Sequence, residues 1–202
     1  MPGYPIVVGQ AEAELRFKNS RFIGCAGQAT CVEEAKEFIA VVRDRYPDAS
    51  HHCYAFAAGY GATVTHGMSD DGEPSGTAGR PMLAVVRGAD IGDVVVVATR
   101  FFGGTKLGTG GLVKAYTETA QAALAAVSVE RKVETELLSI NLGYDSYAPC
   151  RKRIEELGGF VEREDFETSV VLQVRAEIEI IDEVRRILAD MTAGRALIEK
   201  IS

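Results

Sequence analysis

Four consecutive valines, Val94 to Val97, begin an apolar run that continues to Thr99. Successive side chains of a strand point to opposite faces of its sheet, so an unbroken apolar strand needs a cover on both faces. The run therefore predicts a central strand that is buried on both sides. A glycine-rich stretch, residues 103–111, follows it, and residues 112–127 have the apolar spacing of an amphipathic helix.

The segments that precede this run predict the rest of a mixed domain of strands and helices. Polar and apolar residues alternate over 12–18, and a second strand is predicted over 22–29, so we expect the two segments to form a hairpin. Apolar residues three and four positions apart predict a helix over 31–45, which ends before Pro47. We also predict a strand over 52–59, a long loop over 61–78 and a short helix over 81–87.

The last third of the chain has a different order of predicted elements. Apolar alternation and helical stripes give strand, helix, strand, strand, helix and strand in turn. This is the order of the ferredoxin-like βαββαβ domain. Residues 128–131 lie between the two patterns, so the sequence predicts an α+β protein of two domains, 1–128 and 129–202.

The charge of the chain limits the classes of function that fit it. There are 22 Lys and Arg against 29 Asp and Glu, a net charge of −7. The excess of acid is uneven, with 11 basic against 13 acidic residues up to Val127 and 11 against 16 from Ser128 onward. Nucleic-acid binders usually present a broad basic surface, and this chain does not predict one. A local basic patch in the N-terminal domain stays open.

The hydrophobic pattern does not predict a membrane protein. No segment approaches the roughly 20 apolar residues of a membrane-spanning helix. Residues 1–5 have neither the basic region nor the apolar run of a secretory signal. We therefore expect a cytoplasmic protein. No pattern in the sequence specifies an oligomeric state.

The three histidines, His51, His52 and His66, lie in one part of the chain, just before Asp70 and Asp71. Imidazole and carboxylate groups suit acid–base catalysis, so His51, His52, Asp70 and Asp71 are the candidate catalytic residues. The alternative is that the histidines are structural or contact a substrate, and that Asp70 and Asp71 belong to a rigid loop held by Asx turns and a helix cap. No metal is expected, because the spacing fits no standard zinc motif; His52 and His66 are the best-placed pair of ligands if one binds.

Two segments rich in Gly, Ser and Thr, residues 69–81 and 99–111, are candidate phosphate sites. The second lies between a buried strand and a helix, where backbone amides and the positive helix end favour an anion, and Phe101 and Phe102 could offer a stacking surface. It is neither a P-loop nor the GxGxxG motif, since Val113 occupies the third glycine position, so no cofactor is expected. The alternative is that the phenylalanines are core and the glycines serve tight packing. The candidate ligand-binding residues are Ser75, Thr77, Arg80, Arg100, Gly103, Gly104, Lys106, Gly108, Gly110, Gly111 and Lys114.

Together these segments resemble the signature of the YigZ/Impact family. The resemblance is carried by SDDGEPSGTAGRP at 69–81, RFFGGTKLGTGGL at 100–112, SRFI at 20–23 and HHCYA at 51–55. It implies that the N-terminal domain folds as an α/β sandwich like the second domain of a small-subunit ribosomal protein, shared by elongation factor G. It also implies that the C-terminal domain resembles the ferredoxin-like last domain of elongation factor G.

By this resemblance the function is linked to translation. Eukaryotic relatives restrain the stress kinase that phosphorylates a translation initiation factor, but they carry a different N-terminal domain, so that role is not transferred. We hypothesise a non-enzymatic regulator that binds the ribosome or structured RNA through the N-terminal glycine-rich loops. One alternative is an enzyme acting on a small phosphorylated or nucleotide ligand. Another is an adaptor that binds a protein partner through the C-terminal sheet.

Overall fold

The computed structural model describes residues 3–201; Met1 and Pro2, where no secretory signal is predicted, and Ser202 lie outside the described residues. Its contacts divide the chain into two compact units, Tyr4–Lys132 and the part from Val133 onward. The elements of the first unit are β1 (Tyr4–Val8), β2 (Gln10–Phe17), β3 (Ser20–Gln28), α1 (Val32–Arg45), β4 (His51–Ala58), β5 (Thr65–Ser69), α2 (Gly79–Gly88), β6 (Val94–Phe101), α3 (Thr109–Ala126) and β7 (Ser128–Lys132). The elements of the second unit are β8 (Thr135–Leu142), α4 (Tyr144–Glu156), β9 (Phe160–Phe166), β10 (Val170–Glu177), α5 (Ile178–Thr192) and β11 (Leu197–Ile201).

The valine run forms β6, the central strand of an antiparallel five-stranded sheet with the order β2-β3-β6-β4-β5. Val95 and Val97 face the core shared with α1 on one side of the sheet. Val94 and Val96 face the opposite core, to which α2 and α3 contribute. All four valines are fully buried, which confirms the prediction of a strand covered on both faces.

Helix α1 follows the predicted periodicity. Its buried residues are Ala35, Phe38, Ile39 and Val42. Its N-cap residue is Cys31, which makes no side-chain hydrogen bond to the helix. The Glu34 carboxylate instead reaches back to accept from the backbone N–H of Thr30 at 2.7 Å and from its hydroxyl at 2.8 Å.

Strand β5 lies inside the segment 61–78 that the sequence predicts to be a loop. It pairs with β4, with His66 opposite Ala57. The segment Thr65–Ser69 has neither apolar alternation nor β-branched enrichment, the local signals of a strand. As an edge strand, it is specified by pairing with β4 rather than by its own pattern.

Strand β7 belongs to the first unit, so this unit ends at Lys132 rather than at 128. It pairs with β1 in a separate two-stranded sheet. The buried carboxylate of Asp93 joins the two strands by accepting from Lys132 Nζ at 2.6 Å and from the Tyr4 hydroxyl at 2.8 Å. The sequence of β7 is polar and most of its residues are exposed, so its local pattern is that of a linker rather than of a strand.

The second unit has the predicted βαββαβ order. Its antiparallel sheet has the strand order β11-β8-β10-β9, which is the ferredoxin-like arrangement. The core side chains of β8, such as Leu138 and Ile140, cluster with Ile154 of α4 and Leu188 of α5. Helix α4 begins at Tyr144, directly after β8 and the N-cap residue Gly143. No helix of residues 3–201 is long and apolar enough to cross a membrane.

Candidate functional site

A cavity of about 400 Å³ lies where β6 ends and α3 begins. This volume is within the range of small-molecule sites, roughly 300–1,000 Å³. The loop that follows β5, the first residue of β4 and the loop between β6 and α3 surround it. Its lining residues are His51, Glu73, Pro74, Arg100, Phe102, Lys106, Leu107, Gly108, Thr109 and Leu112.

A buried polar network forms the floor of the cavity. Glu73 Oε1 accepts from Arg100 Nη1 at 2.6 Å and from the Tyr116 hydroxyl at 2.7 Å. Arg100 Nη2 also donates to Ser20 Oγ at 3.3 Å. The side chains of Arg100 and Glu73 are only 6% and 4% exposed, so each charge depends on the other for compensation.

His51 is the one predicted catalytic residue that lines the cavity. Its Nδ1 lies 2.8 Å from the carbonyl oxygen of Asp71, and a carbonyl only accepts, so Nδ1 carries the proton. In the neutral ring Nε2 is then the nitrogen that accepts, and it lies 3.9 Å from Glu73 Oε1. This orientation resembles that of a general base held by a backbone carbonyl.

Asp70 fixes the loop after β5 rather than facing the cavity. Its carboxylate accepts from the backbone N–H groups of Gly76 at 2.9 Å, Ala78 at 3.0 Å and Gly79 at 2.8 Å. Two of these amides begin α2, whose N-cap residue Ala78 has no side chain to offer. Burial raises the pKa of Asp70, but the three hydrogen bonds outweigh it and hold the pKa below its usual value.

Asp71 and His52 form a second structural contact. Asp71 accepts from the backbone N–H of His52 at 2.6 Å and from Arg43 at 3.0 Å. Burial raises the pKa of Asp71, and these two donors lower it further than burial raises it. The His52 ring lies 3.0 Å from the carbonyl oxygen of Tyr46, and burial lowers its pKa. Both side chains are thus occupied in holding β4, α1 and the loop together.

The amino end of α3 supplies the positive character of the cavity. Gly108, with φ at 76°, occupies the N-cap position; no side-chain cap bond is made there and the first turn holds no acidic residue. Unsatisfied amides at a helix start attract anions. Lys106 is exposed beside them, and Lys18 donates to the Lys106 carbonyl at 3.0 Å, which brings a second ammonium group to the loop.

The remaining predicted ligand-binding residues lie outside the cavity lining. Thr77 donates its hydroxyl to the Pro74 carbonyl at 2.7 Å, and Lys114 pairs with Glu118 at 3.8 Å. A Cβ on Gly103 would overlap the backbone of Asn19, so this glycine allows a close approach of two loops. Of the others, Ser75 and Arg80 are exposed, Gly104 has a positive φ, and Gly110 and Gly111 lie in the first turn of α3.

The structure does not bring His52 and His66 together. His66 pairs with Ala57, five residues along β4 from His52, which separates them by roughly 16 Å at the rise of a strand. Within residues 3–201 no three His, Cys, Asp or Glu side chains are grouped to hold a metal ion.

Four residues of the site were not among the predicted ligand-binding residues. Glu73 and Tyr116 complete the buried network, Ser20 anchors Arg100, and Lys18 adds charge at the rim. Each lies far along the chain from its partner, so no local pattern pairs them. The one signal for Glu73 and Ser20 in the sequence is that they lie within the 69–81 segment and the SRFI segment, which carry the family resemblance.

Fold and cavity together define a two-domain α+β protein with a ligand-sized cavity in its N-terminal domain. The Impact N-terminal domain model matches residues 18–124, which contain the whole cavity, and a domain of unknown function matches residues 140–195. A member of the IMPACT family from Escherichia coli K12, YigZ, is 36% identical over 96% of this chain and 93% of its own. The chain therefore belongs to the IMPACT family.

Two further similarities extend over nearly the full length of the chain. The family member YvyE from Bacillus subtilis 168 is 28% identical over 98% of this chain and 90% of its own. A crystal structure of an hypothetical protein is 34% identical, covers 100% of this chain and 98% of its own, and superposes with a TM-score of 0.68. The similarity therefore includes both domains.

Proposed function

We propose that this protein is a translation-linked regulator that binds ribosomal or other structured RNA through the cavity at the amino end of α3. Membership of the IMPACT family supports the link to translation. The observation that carries the RNA contact is that Lys106 and the uncapped amino end of α3 line one cavity, with the Lys18 ammonium group held against the Lys106 carbonyl. Phosphate groups are the anions that such a combination binds best.

The charge balance of the chain favours the N-terminal domain for this contact. The C-terminal part carries most of the acid excess and would be repelled by phosphate, whereas the N-terminal part is nearly neutral overall. Within the cavity, Glu73 compensates the charge of Arg100. Lys106 at the cavity, Lys18 beside it and the helix dipole thus supply the positive charge for this contact, so the proposed affinity is modest and strongly salt-dependent.

Replacing Lys106 by alanine is expected to weaken ribosome association. One lost phosphate contact lowers the slope of log affinity against log salt by about 1. Co-sedimentation of the full chain with ribosomes, measured between roughly 50 and 200 mM salt, checks this. Lys36→Ala is the matched control, because Lys36 is an exposed lysine on α1, which covers the other face of the sheet. Failure of the wild-type chain to associate at the lowest salt would overturn the proposal.

A second candidate function, an enzyme acting on a small phosphorylated or nucleotide ligand, is favoured by one observation. The accepting Nε2 of His51 and the amino end of α3 line the same cavity, so a bound phosphate ester would lie beside a general base. Incubation with a panel of nucleotides and sugar phosphates should then release inorganic phosphate, and His51→Gln should abolish the release. Unchanged ligands after prolonged incubation with wild-type protein would remove this candidate.

A further inference from the structure

Phe102 is an exposed aromatic side chain at the rim of the cavity. It is 50% exposed although it directly follows the buried strand β6. The guanidinium carbon of Arg100 lies 5.4 Å from the centroid of the Phe102 ring and 5.5 Å from that of Phe22. Arg100 thus lies over one face of the Phe102 ring, which leaves the opposite face open to a planar ligand.

The loop that carries Phe102 is held in place before any ligand arrives. The backbone N–H of Phe102 donates to Ser50 Oγ, and that of Gly103 donates to Ser20 Oγ, both at 3.3 Å. Close packing of Gly103 against Asn19 adds to this restraint. A stacking platform that is already ordered loses little conformational entropy on binding.

The guanidinium group of Arg100 supplies an independent indication that the cavity has a ligand. Arg100 lines the cavity and is 5% exposed, yet its buried Nε–H has no hydrogen-bond partner within residues 3–201. A buried donor without a partner costs free energy, which an acceptor entering the cavity could recover through a small rotation of the side chain. Arg100, Phe102 and the first residues of α3 line the same cavity, so this acceptor would belong to the same ligand.

A single nucleotide carries a phosphate and a planar base, and the cavity offers a separate contact for each. Its phosphate matches Lys106 and the first amides of α3, and its base has the flat face that stacks on an aromatic ring. The bases of a duplex are stacked on one another, and a cavity of about 400 Å³ does not admit the duplex itself. We propose that the cavity binds one unpaired nucleotide, with its base on Phe102 and its phosphate at the amino end of α3. This inference rests on the proposed RNA contact and narrows it to single-stranded or flipped-out nucleotides.

The test compares single-stranded with double-stranded RNA. A ten-nucleotide RNA strand and its duplex are titrated into the full chain, and affinity is measured by fluorescence anisotropy. The single strand should bind at least tenfold more tightly than the duplex, and Phe102→Ala should weaken single-strand binding about tenfold. Phe102→Tyr, which keeps an aromatic face, should retain binding. Phe166→Ala, which removes a similarly exposed phenylalanine of the C-terminal domain, is the control and should leave binding unchanged.

Two contrary outcomes have different meanings. Equal affinity for strand and duplex, unchanged in Phe102→Ala, overturns the inference and leaves the proposed RNA contact standing. No binding of any RNA or of ribosomes at low salt overturns the proposed function itself. Far-UV circular dichroism of each variant confirms that a lost affinity is not a lost fold; if Phe102→Ala unfolds, the comparison of strand with duplex in the wild type decides by itself.

Discussion

Replacing Arg100 by methionine is expected to destabilise the N-terminal domain by about 3–5 kcal/mol. The substitution removes the group that compensates Glu73, whose side chain is 4% exposed, and leaves a buried carboxylate with the Tyr116 hydroxyl as its remaining short hydrogen bond. Glu73→Gln leaves the arginine uncompensated in the same way and should cost a similar amount, although the amide oxygen can still accept from Tyr116. Peptide-resolved hydrogen exchange of β6 measures the loss in this domain directly.

A double-mutant cycle separates the pair from its surroundings. If Arg100 and Glu73 compensate each other, the double variant is destabilised by less than the sum of the single variants, by about 2 kcal/mol or more. Arg16→Met is the surface control, since Arg16 pairs with Glu14 but is 72% exposed, and it should cost less than about 1 kcal/mol. Strict additivity of the two buried substitutions would show that the 2.6 Å ion pair contributes nothing to folding.

The elements that the sequence predicts well are those whose signal is local. The buried strand β6 and the helix α1 have clear apolar patterns, and both lie where the patterns predict them. The ferredoxin-like order follows from several such elements in succession. A periodic pattern records which face of an element is buried, and this is sufficient for the fold class.

The elements that the sequence misses are specified by distant partners. Strand β5 has no pattern of its own and exists as an edge because β4 offers unpaired backbone groups. Strand β7 is held by β1 and by the contact of Lys132 with Asp93, residues 39 positions apart. Long-range pairing of this kind leaves no trace in a local window.

The same distinction applies to the candidate site. Its position at the start of α3 follows from a glycine-rich segment between a buried strand and a helix. The pairing of Arg100 with Glu73, which lies 27 positions earlier in the chain, does not follow from that segment. The sequence therefore ranks Arg100 with the phosphate ligands, whereas in the structure its charge is already paired and Lys106 is the more available group.

Replacing Asp70 by asparagine is expected to be the second strongly destabilising change, by about 2–3 kcal/mol at neutral pH. The carboxylate accepts three backbone hydrogen bonds, one through Oδ2 and two through Oδ1. Asparagine retains one oxygen, but its NH2 group would face the backbone N–H of Gly76 or the amides at the start of α2, so two donors would meet. The hydrogen bonds that remain would also be weaker, because an ionised acceptor makes stronger hydrogen bonds than a neutral amide oxygen. Exposed Asp48, in the turn after α1, is the control, and Asp48→Asn should change stability by less than about 0.5 kcal/mol.

The pH dependence of this difference identifies its cause. The pKa of Asp70 is lower in the folded protein than the value of about 3.9 expected in the unfolded chain. Its contribution to stability is therefore complete above about pH 4 and is lost as the pH falls through the folded pKa. Chemical denaturation of both proteins between about pH 3 and pH 7 should show the difference between wild type and Asp70→Asn shrinking on acidification. Other carboxylates with lowered pKa, such as Asp71 and Asp93, weaken both proteins equally and cancel in this difference. A difference that stays constant across the range would mean that the shape of the side chain, and not its charge, holds the start of α2.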